Sequence, residues 1–343
     1  MRRIWVAFLL LAGLLFLSAH QGELKRFWQV LQQGEGRYLA LAFLFEGIWY
    51  LHVALTFSLL YRALGLQERL SRLLLMALSM NFVNMVAPTG GFSGMTVFIS
   101  EAREQGQSTA RAMVATTLYI LFEHLGFLAV LGLGLWVLIR RNRLTWVEIS
   151  ASAVMVAIVV GLASVVYLGS HSGRALGRFL AWAARNLNRV AHALHMDDLA
   201  SEQSAQRFGH DLSRGLAFLR YNPRFLGLLA LMGVLSKAWL MMVLLFVFLA
   251  FHIPLSPGTW VVTFMAAYLF LVVSPAPGGV GFAESAITLM LVSFGIPWED
   301  ATVVALTYRG ITFWLPLLGG LLATRLLSMT RAHENARGQD EEA

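Results

Sequence analysis

The chain has 343 residues, of which 58% are hydrophobic and only 13% are charged, and its net charge is +7. Soluble domains carry about 25% charged residues, so this composition excludes an ordinary soluble protein and indicates an all-α integral membrane protein. No cysteine is present, which excludes disulfides, thiol catalysis and thiolate metal sites. The basic residues border apolar segments and form no basic run interleaved with aromatics, so we expect no nucleic-acid partner. The sequence has no nucleotide-binding motif, and we expect no cofactor.

Six apolar stretches are long enough to cross a bilayer, because about 20 residues at 1.5 Å rise span its hydrocarbon core. They lie at residues 4–19, 38–61, 112–139, 147–169, 225–251 and 302–323. The first follows Arg2 and Arg3 as a signal peptide would, but Leu17 and Ala19 form a poor cleavage pair. We therefore retain it as a membrane span.

Two further apolar stretches, residues 73–100 and 259–297, are interrupted by prolines and glycines. The breaks contain Pro88, Gly90 and Gly91 in the first stretch and Pro277, Gly278, Gly279 and Gly281 in the second. Proline removes a hydrogen-bond donor and glycine frees the backbone, so each stretch is predicted to form two half-helices around an irregular turn. Such backbone occurs at membrane depth only where it is buried in protein or lines a wet cavity.

The two breaks superimpose without a gap when the sequence is shifted so that Pro88 falls on Pro277. The same shift places Tyr119 on Tyr308, and the repeat unit is a span, a broken hairpin and a second span, at about 38–139 and 227–328. With a cytoplasmic amino terminus and both hairpins re-entrant, most of the 26 lysines and arginines lie on the cytoplasmic side. We therefore predict two inverted repeats, an architecture typical of transporters.

Arg140, Arg141 and Arg143 are the main exception to the expected charge distribution. If the stretch 73–100 crosses the membrane fully, these three arginines lie on the cytoplasmic side. The long arginine-rich loop between the repeats then lies on the external side, which violates the positive-inside tendency more strongly. The sequence leaves both arrangements open and favours the re-entrant one.

The predicted membrane domain covers residues 1–328, with a cytoplasmic insert at 170–224 between the repeats. In the insert, one stripe of a predicted helix carries Arg174, Arg178, Arg185 and Arg189, opposite an apolar face. This pattern is typical of an interfacial helix on an anionic leaflet, and equally of a helical hairpin that packs on the protein itself. Residues 329–343 are predicted to be a disordered tail.

Ionisable side chains inside the predicted membrane segments are functional candidates, because burying a charge there costs about 3 kcal/mol or more. They are Glu46, His52, Glu123, His124, Lys237, Glu284 and Arg309. Glu284 follows the second break and is either a capping carboxylate or the partner of a cation. Arg309 is predicted to pair with Glu284 or Glu123, or to bind an anionic headgroup.

The spacing of the remaining polar residues argues against a metal site and indicates structural roles for the asparagines. Glu123 and His124 are adjacent and point about 100° apart, and the sequence has no HExxH spacing, so we expect no metal site. Asn81 and Asn84 share a helix face before the first break. They are predicted to bind freed backbone groups first and to line the site second.

Gly91, Phe92, Ser93 and Gly94 match GxSG, the serine motif of rhomboid-type intramembrane proteases. A serine nucleophile needs its base within hydrogen-bond reach, which the sequence does not show. The corresponding place in the second repeat, residues 280–283, has no serine, and any re-entrant turn would use glycine and serine there. Proteolysis is kept as a third hypothesis.

At both breaks the sequence resembles the lysylphosphatidylglycerol synthase transmembrane region, the flippase-like half of aminoacyl-phosphatidylglycerol synthases. The motifs are NFVNMVAPTGGFSG, and SPAPGGVGFAES followed by GIPWEDATVVALTYRGITFWLP, with Glu284 and Arg309 in the second. Two departures concern headgroup contacts: Met95 and its neighbours stand where the family commonly has a glutamate, and His124 stands where arginine is frequent. The soluble aminoacyl-transfer domain is not found in the sequence, so the resemblance implies translocation without synthesis and no enzyme activity.

The resemblance and the residues together predict a flippase in the bacterial inner membrane. Its expected substrate is an anionic phospholipid, an aminoacylated lipid or another lipid-linked headgroup, and association into a homo-oligomer is compatible with the sequence. The rival hypothesis is a non-transporting membrane scaffold for envelope enzymes. The predicted substrate-binding residues are Arg309, Glu284, Glu123, His124, Asn81, Asn84, Pro88, Gly90, Gly91, Pro277, Gly278, Gly279 and Gly281.

Overall fold

The computed structural model describes residues 21–86, 93–193, 209, 212–213, 216 and 222–341, and these residues form helices and no strand. The first repeat contains α2 (Gly36–Ala63), α3 (Leu70–Val86), α4 (Met95–Glu104) and α5 (Thr109–Arg140), after α1 (Gln21–Leu31). Between the repeats lie α6 (Trp146–His171) and α7 (Gly173–Ala193). The second repeat contains α8 (Pro223–Ala250), α9 (Pro257–Val273), α10 (Phe282–Ser293), α11 (Trp298–Arg309) and α12 (Leu315–Glu341).

Five stretches of helix are long and apolar enough to cross a membrane. They are α2, α5, α6, α8 and the stretch Trp298–Met329, which joins α11 to the start of α12 through a π-helical turn, Gly310–Trp314. These match five of the six predicted spans, and the sixth, residues 4–19, lies outside the described residues. The prediction of an all-α, polytopic membrane protein is confirmed.

The two interrupted stretches form half-helices as predicted. In the second repeat, α9 ends at Val273, a short 3-10 turn covers Pro277–Gly279, and α10 begins at Phe282. In the first repeat, α3 ends at Val86 and α4 begins at Met95. Pro88, Gly90 and Gly91, which were predicted to line the site, lie outside the described residues.

The helix bounds repeat along the chain in the order that the sequence predicts. Helices α2 and α8 both have 28 residues, and α3 and α9 both have 17. Gly106 and Gly295, which follow α4 and α10, both have a positive φ. The packing is reciprocal, because α3 packs against α12 while α9 packs against α5, and α2 packs against α8. These observations support a duplicated unit.

Both ends of the first broken stretch lie at the beginning of α5. Gln105, after α4, donates a hydrogen bond to Glu68, which precedes α3. Gln107 donates to the carbonyl oxygen of Gln67 at 2.8 Å, one residue before Ser108 caps α5. The chain therefore leaves this hairpin where it entered, which favours a re-entrant segment over a fully spanning one.

Both ends of the second broken stretch lie at the other end of α5. Arg141, just after α5, donates to Ser256 at 3.0 Å, before α9, and its guanidinium lies 4.9 Å from the ring centre of Phe294, after α10. With 32 residues, α5 is about 48 Å long, so the two hairpins enter from opposite ends of the bundle. This arrangement supports inverted repeats, whose orientation in the membrane stays a prediction. It also gives Arg141 a structural role that is independent of topology.

The insert helix α7 is amphipathic, as the sequence predicts. Its four striped arginines are exposed, whereas Leu176, Ala181 and Ala184 are buried. Leu176 packs in one apolar cluster with Leu212 and Leu216. These contacts favour packing on the protein for the apolar face, while the arginine face stays open to solvent or to lipid headgroups.

The carboxyl-terminal segment differs from the predicted disordered tail. Helix α12 runs on to Glu341, through most of residues 329–343. Alanine, glutamate and arginine in this segment are good helix formers, so the last membrane helix can continue without a break.

Candidate functional site

Helices α5 and α8 cross in direct backbone contact, because both have a glycine at the crossing point. A Cβ atom on Gly126 would lie 2.2 Å from the carbonyl oxygen of Gly233, and a Cβ atom on Gly233 would lie 2.0 Å from that of Phe122. Only two glycines permit this backbone contact, which is how small residues bring membrane helices together. The crossing places the next turns of both helices in direct contact.

One turn from this crossing, Lys237 of α8 and Glu123 of α5 form a buried ion pair. The Nζ atom of Lys237 donates to Glu123 and also to the Tyr268 hydroxyl at 2.8 Å, and it lies 4.0 Å from the centre of that ring. The side chain of Lys237 is fully buried and does not extend towards an interface. Glu123, which was considered as a partner of Arg309, is thus paired with Lys237 instead.

The second break has a backbone that requires glycine. Gly278, Gly279 and Gly281 have φ angles of 58°, 67° and 80°, a region that favours residues without Cβ. A Cβ atom on Gly278 would lie 2.3 Å from the Phe313 ring, and one on Gly279 would lie 2.9 Å from the Leu271 Cα. The turn therefore packs directly on α9 and on the π-helical turn.

Arg309 links this break to α10 and to the last span. Its Nε atom donates to Glu284 Oε1 at 2.8 Å, and its Nη2 atom donates to the carbonyl oxygen of Gly278 at 2.7 Å. The guanidinium carbon lies 4.6 Å from the ring centre of Phe313, and only 4% of the residue is exposed. Of the roles considered for Glu284, the structure shows the partner of a cation.

A π-helical turn, Gly310–Trp314, follows Arg309 directly. Such turns insert one extra residue into a helix and occur often at functional sites. This turn carries Phe313 beneath the guanidinium and places Thr312 in the wall of the cavity described below. The sequence gives no local indication of it.

Of the two asparagines before the first break, Asn84 binds a backbone group, as predicted, and Asn81 binds a side-chain hydroxyl group instead. Asn84 accepts a hydrogen bond from the backbone N–H of Gly94 at 2.7 Å, so it holds the start of α4 across the break. Asn81 donates to the hydroxyl of Tyr50. Ser93 of the GxSG motif lies 3.3 Å from both the Val83 carbonyl oxygen and Asn84 Oδ1.

The two buried histidines of the bundle bind backbone carbonyl groups. His52 Nε2 lies 3.0 Å from the Met232 oxygen, and His124 Nδ1 lies 2.7 Å from the Ile120 oxygen. The described residues contain no group of three metal-ligating side chains. Both histidine rings therefore have a backbone carbonyl group as a hydrogen-bond partner.

A central cavity of about 220 Å³ lies between the two repeats. It brings together six predicted site residues, Asn81, Asn84, Glu123, His124, Gly278 and Arg309. Glu284 adjoins it through Arg309, whereas Pro277, Gly279 and Gly281 shape the break without lining the cavity. Its wall also contains residues that were not predicted as site residues: Glu46, Trp49, Tyr50, Tyr119, Tyr268 and Tyr308.

Glu46 is the most unusual of these additional residues. It is buried, and neither carboxylate oxygen has a hydrogen-bond partner in the described part of the chain. The sequence identifies Glu46 as an intramembrane carboxylate, but its six-residue spacing from His52 gives no pairing to predict. The aromatic wall could have been inferred only from the tyrosines at equivalent positions 119 and 308.

Residues 4–320 match the family described as the lysylphosphatidylglycerol synthase TM region. The chain belongs to this family. The match covers the first repeat, the insert and most of the second repeat, including both breaks, so the family resemblance at the two breaks is confirmed. The family name links this membrane domain to a lipid synthase.

A UPF0104 membrane protein from Methanothermobacter thermautotrophicus is 28% identical over 135 residues. The match covers 38% of this chain and 40% of that protein, so it spans about two fifths of the relative's length. The name of this relative describes a membrane protein and gives no activity.

Proposed function

We propose that this protein is a flippase that moves an anionic lipid headgroup across the inner membrane of a bacterial cell, and that it is not an enzyme. Candidate substrates are an anionic phospholipid, an aminoacylated lipid and another lipid-linked headgroup. The observation that carries the proposal is a buried arginine, Arg309, at the edge of a cavity between two broken-helix repeats. Transporters with broken helices bind substrate at this place.

The arginine has the contacts expected of an exchangeable anion site. A guanidinium binds phosphate or carboxylate through two parallel hydrogen bonds. In this structure Glu284 and the Gly278 carbonyl group take up two of those donors. A lipid phosphate can replace Glu284 at Arg309, and Glu284 can take the guanidinium back when the lipid leaves. The acyl chains remain in the bilayer while the headgroup crosses.

The test is reconstitution of the protein into liposomes with headgroup-labelled phosphatidylglycerol and a membrane-impermeant quencher. We expect the wild type to expose inner-leaflet label faster than protein-free liposomes. Arg309→Lys should expose it at least about tenfold more slowly, because lysine cannot reproduce the planar two-donor contact. Arg325→Lys, a change at an exposed arginine of α12, is the matched control. Equal rates for wild type and Arg309→Lys would reject this site.

The exposed arginines of α7 favour the scaffold as the second candidate function. That hypothesis predicts that Glu284→Gln and Arg309→Ala leave cellular function intact. It also predicts that neutralising Arg174, Arg178, Arg185 and Arg189 abolishes function. The flippase proposal predicts the opposite order of effects, so complementation of a deletion strain separates the two.

A further inference from the structure

Glu46 lies near the middle of the membrane span α2 and lines the central cavity. It is ten residues from the start of the helix, about 15 Å along its axis. Only 7% of the residue is exposed, and both carboxylate oxygens are buried without a hydrogen-bond partner in the part of the chain that the structure describes. Within the described residues, a carboxylate in this position has no donor to stabilise its negative charge.

The basic side chains at the cavity, Lys237 and Arg309, are engaged with other groups. Lys237 is bound to Glu123 and Tyr268, and Arg309 is bound to Glu284 and Gly278. The other titratable groups in the wall of this cavity are Tyr50, Tyr119, Glu123, His124, Tyr268, Tyr308 and Arg309. Lys237 lies beside the wall through its pair with Glu123, and His52, six residues along the helix from Glu46, does not line the cavity. Lys237 and Arg309 each have a carboxylate partner in the described part of the chain, so neither forms an ion pair with Glu46.

An ionised carboxylate that is buried without a partner is costly, and such a group neutralises by taking up a proton. We propose that Glu46 is a proton-binding site that couples lipid movement to proton movement, with the carboxyl group protonated when the headgroup binds and ionised when it leaves. This proposal rests on the proposed flippase function. The step is an acid dissociation in which the proton passes to cavity water and no other bond changes.

The coupling follows from the shared cavity. Ionisation of Glu46 would add a negative charge to the space in which Arg309 receives a phosphate, so the ionised form opposes anion binding and the neutral form permits it. Binding free energies are reciprocal, and a bound lipid anion therefore favours protonated Glu46 by the same factor. A lipid anion is thus expected to move together with a proton, from the acidic side of the membrane to the alkaline side.

The test uses the full chain in liposomes with an imposed pH difference and phosphatidylglycerol labelled on one acyl chain. For the wild type, we expect label to move from the acidic to the alkaline leaflet about tenfold faster than without the gradient. Glu46→Gln, which imitates the protonated form, should move label at a rate that the gradient does not change. Glu148→Gln is the control, because it removes a buried carboxylate of α6 that has a partner in Thr145. A gradient-insensitive wild type, or a gradient-sensitive Glu46→Gln, would overturn the coupling.

A second measurement separates the proton site from the flippase function. Infrared difference spectra of the reconstituted protein across a pH titration report the C=O stretch of protonated carboxyl groups. We expect a band in the wild type at neutral pH that Glu46→Gln lacks and Glu148→Gln retains. An identical band in the wild type and Glu46→Gln would refute the proton site even if lipid moves. A band that depends on Glu46 without any lipid movement would support the proton site and reject the flippase proposal for that lipid.

Discussion

Arg309 and Glu284 lie 25 residues apart and form an ion pair of 2.8 Å that joins the last membrane span to the half-helix α10. The same guanidinium binds the carbonyl oxygen of Gly278 in the turn that precedes α10. One side chain therefore connects the break, the half-helix and the span. Any anion that engages Arg309 must compete with groups that hold this region together.

The turn at Gly278 should tolerate no side chain. Gly278→Ala introduces a Cβ at positive φ and against the Phe313 ring, while Gly281→Ala also introduces a Cβ at positive φ but with no atom within 4 Å. We expect Gly281→Ala to destabilise the protein by roughly 1–3 kcal/mol and Gly278→Ala by a further 1–3 kcal/mol. Equilibrium unfolding in mixed micelles measures both values. Equal losses would show that the ring contact does not matter.

The crossing of α5 and α8 should be equally intolerant. Gly126→Ala places a methyl group 2.2 Å from the Gly233 backbone and must separate the helices, which we expect to cost about 3 kcal/mol. Gly132→Ala in the same helix meets no atom within 4 Å, so it should change the stability by less than about 1 kcal/mol. The free energies of unfolding of the two variants and the wild type, measured in detergent, provide the comparison. A neutral Gly126→Ala would contradict the close backbone contact.

The buried ion pair of Lys237 and Glu123 predicts a non-additive double substitution. Lys237→Met leaves Glu123 buried without a cation and should cost about 3–5 kcal/mol. The double variant with Glu123→Gln removes that charge and should recover at least about 2 kcal/mol of the loss. A thermodynamic cycle of unfolding free energies tests this. Additive losses would mean that the two side chains act independently.

The orientation of the repeats predicts which ends of the helices face the cytoplasm. Because the sequence has no cysteine, a single introduced cysteine reports its own position. Arg143→Cys, after α5, should react with an impermeant maleimide in intact cells, while Asn222→Cys, before α8, should react only after the membrane is opened. Both positions are exposed in the structure. Reaction of both cysteines from the same side would refute the predicted topology.

The sequence predicts the spans and breaks well because membrane burial demands long apolar helices and because only glycine and proline explain the two interruptions. The sequence also predicts the partner of Glu284, because Arg309 is the nearest intramembrane cation in the same repeat. The pairing of Glu123 with Lys237 was missed, because it depends on how closely α5 and α8 approach at Gly126 and Gly233.

Two features of the site have no local sequence pattern. A π-helical turn follows Arg309 where helix periodicity alone predicts an ordinary helix, and its Phe313 packs against Gly278 of the break. The isolation of Glu46 is a property of the assembled cavity, since it depends on where every neighbouring donor points. Long-range contacts of this kind decide which intramembrane charges are paired.

The most direct test of the flippase proposal compares the wild type with Glu284→Gln in liposomes. The readout is how fast an impermeant reductant reaches phosphatidylglycerol that starts in the inner leaflet. We expect exposure in the wild type to be at least about tenfold faster than in Glu284→Gln, because glutamine cannot reclaim Arg309 by charge when the lipid leaves. Equal and slow exposure in both, with the proteins confirmed as folded and a panel of anionic and isoprenoid-linked lipids giving the same result, would contradict translocation at this site.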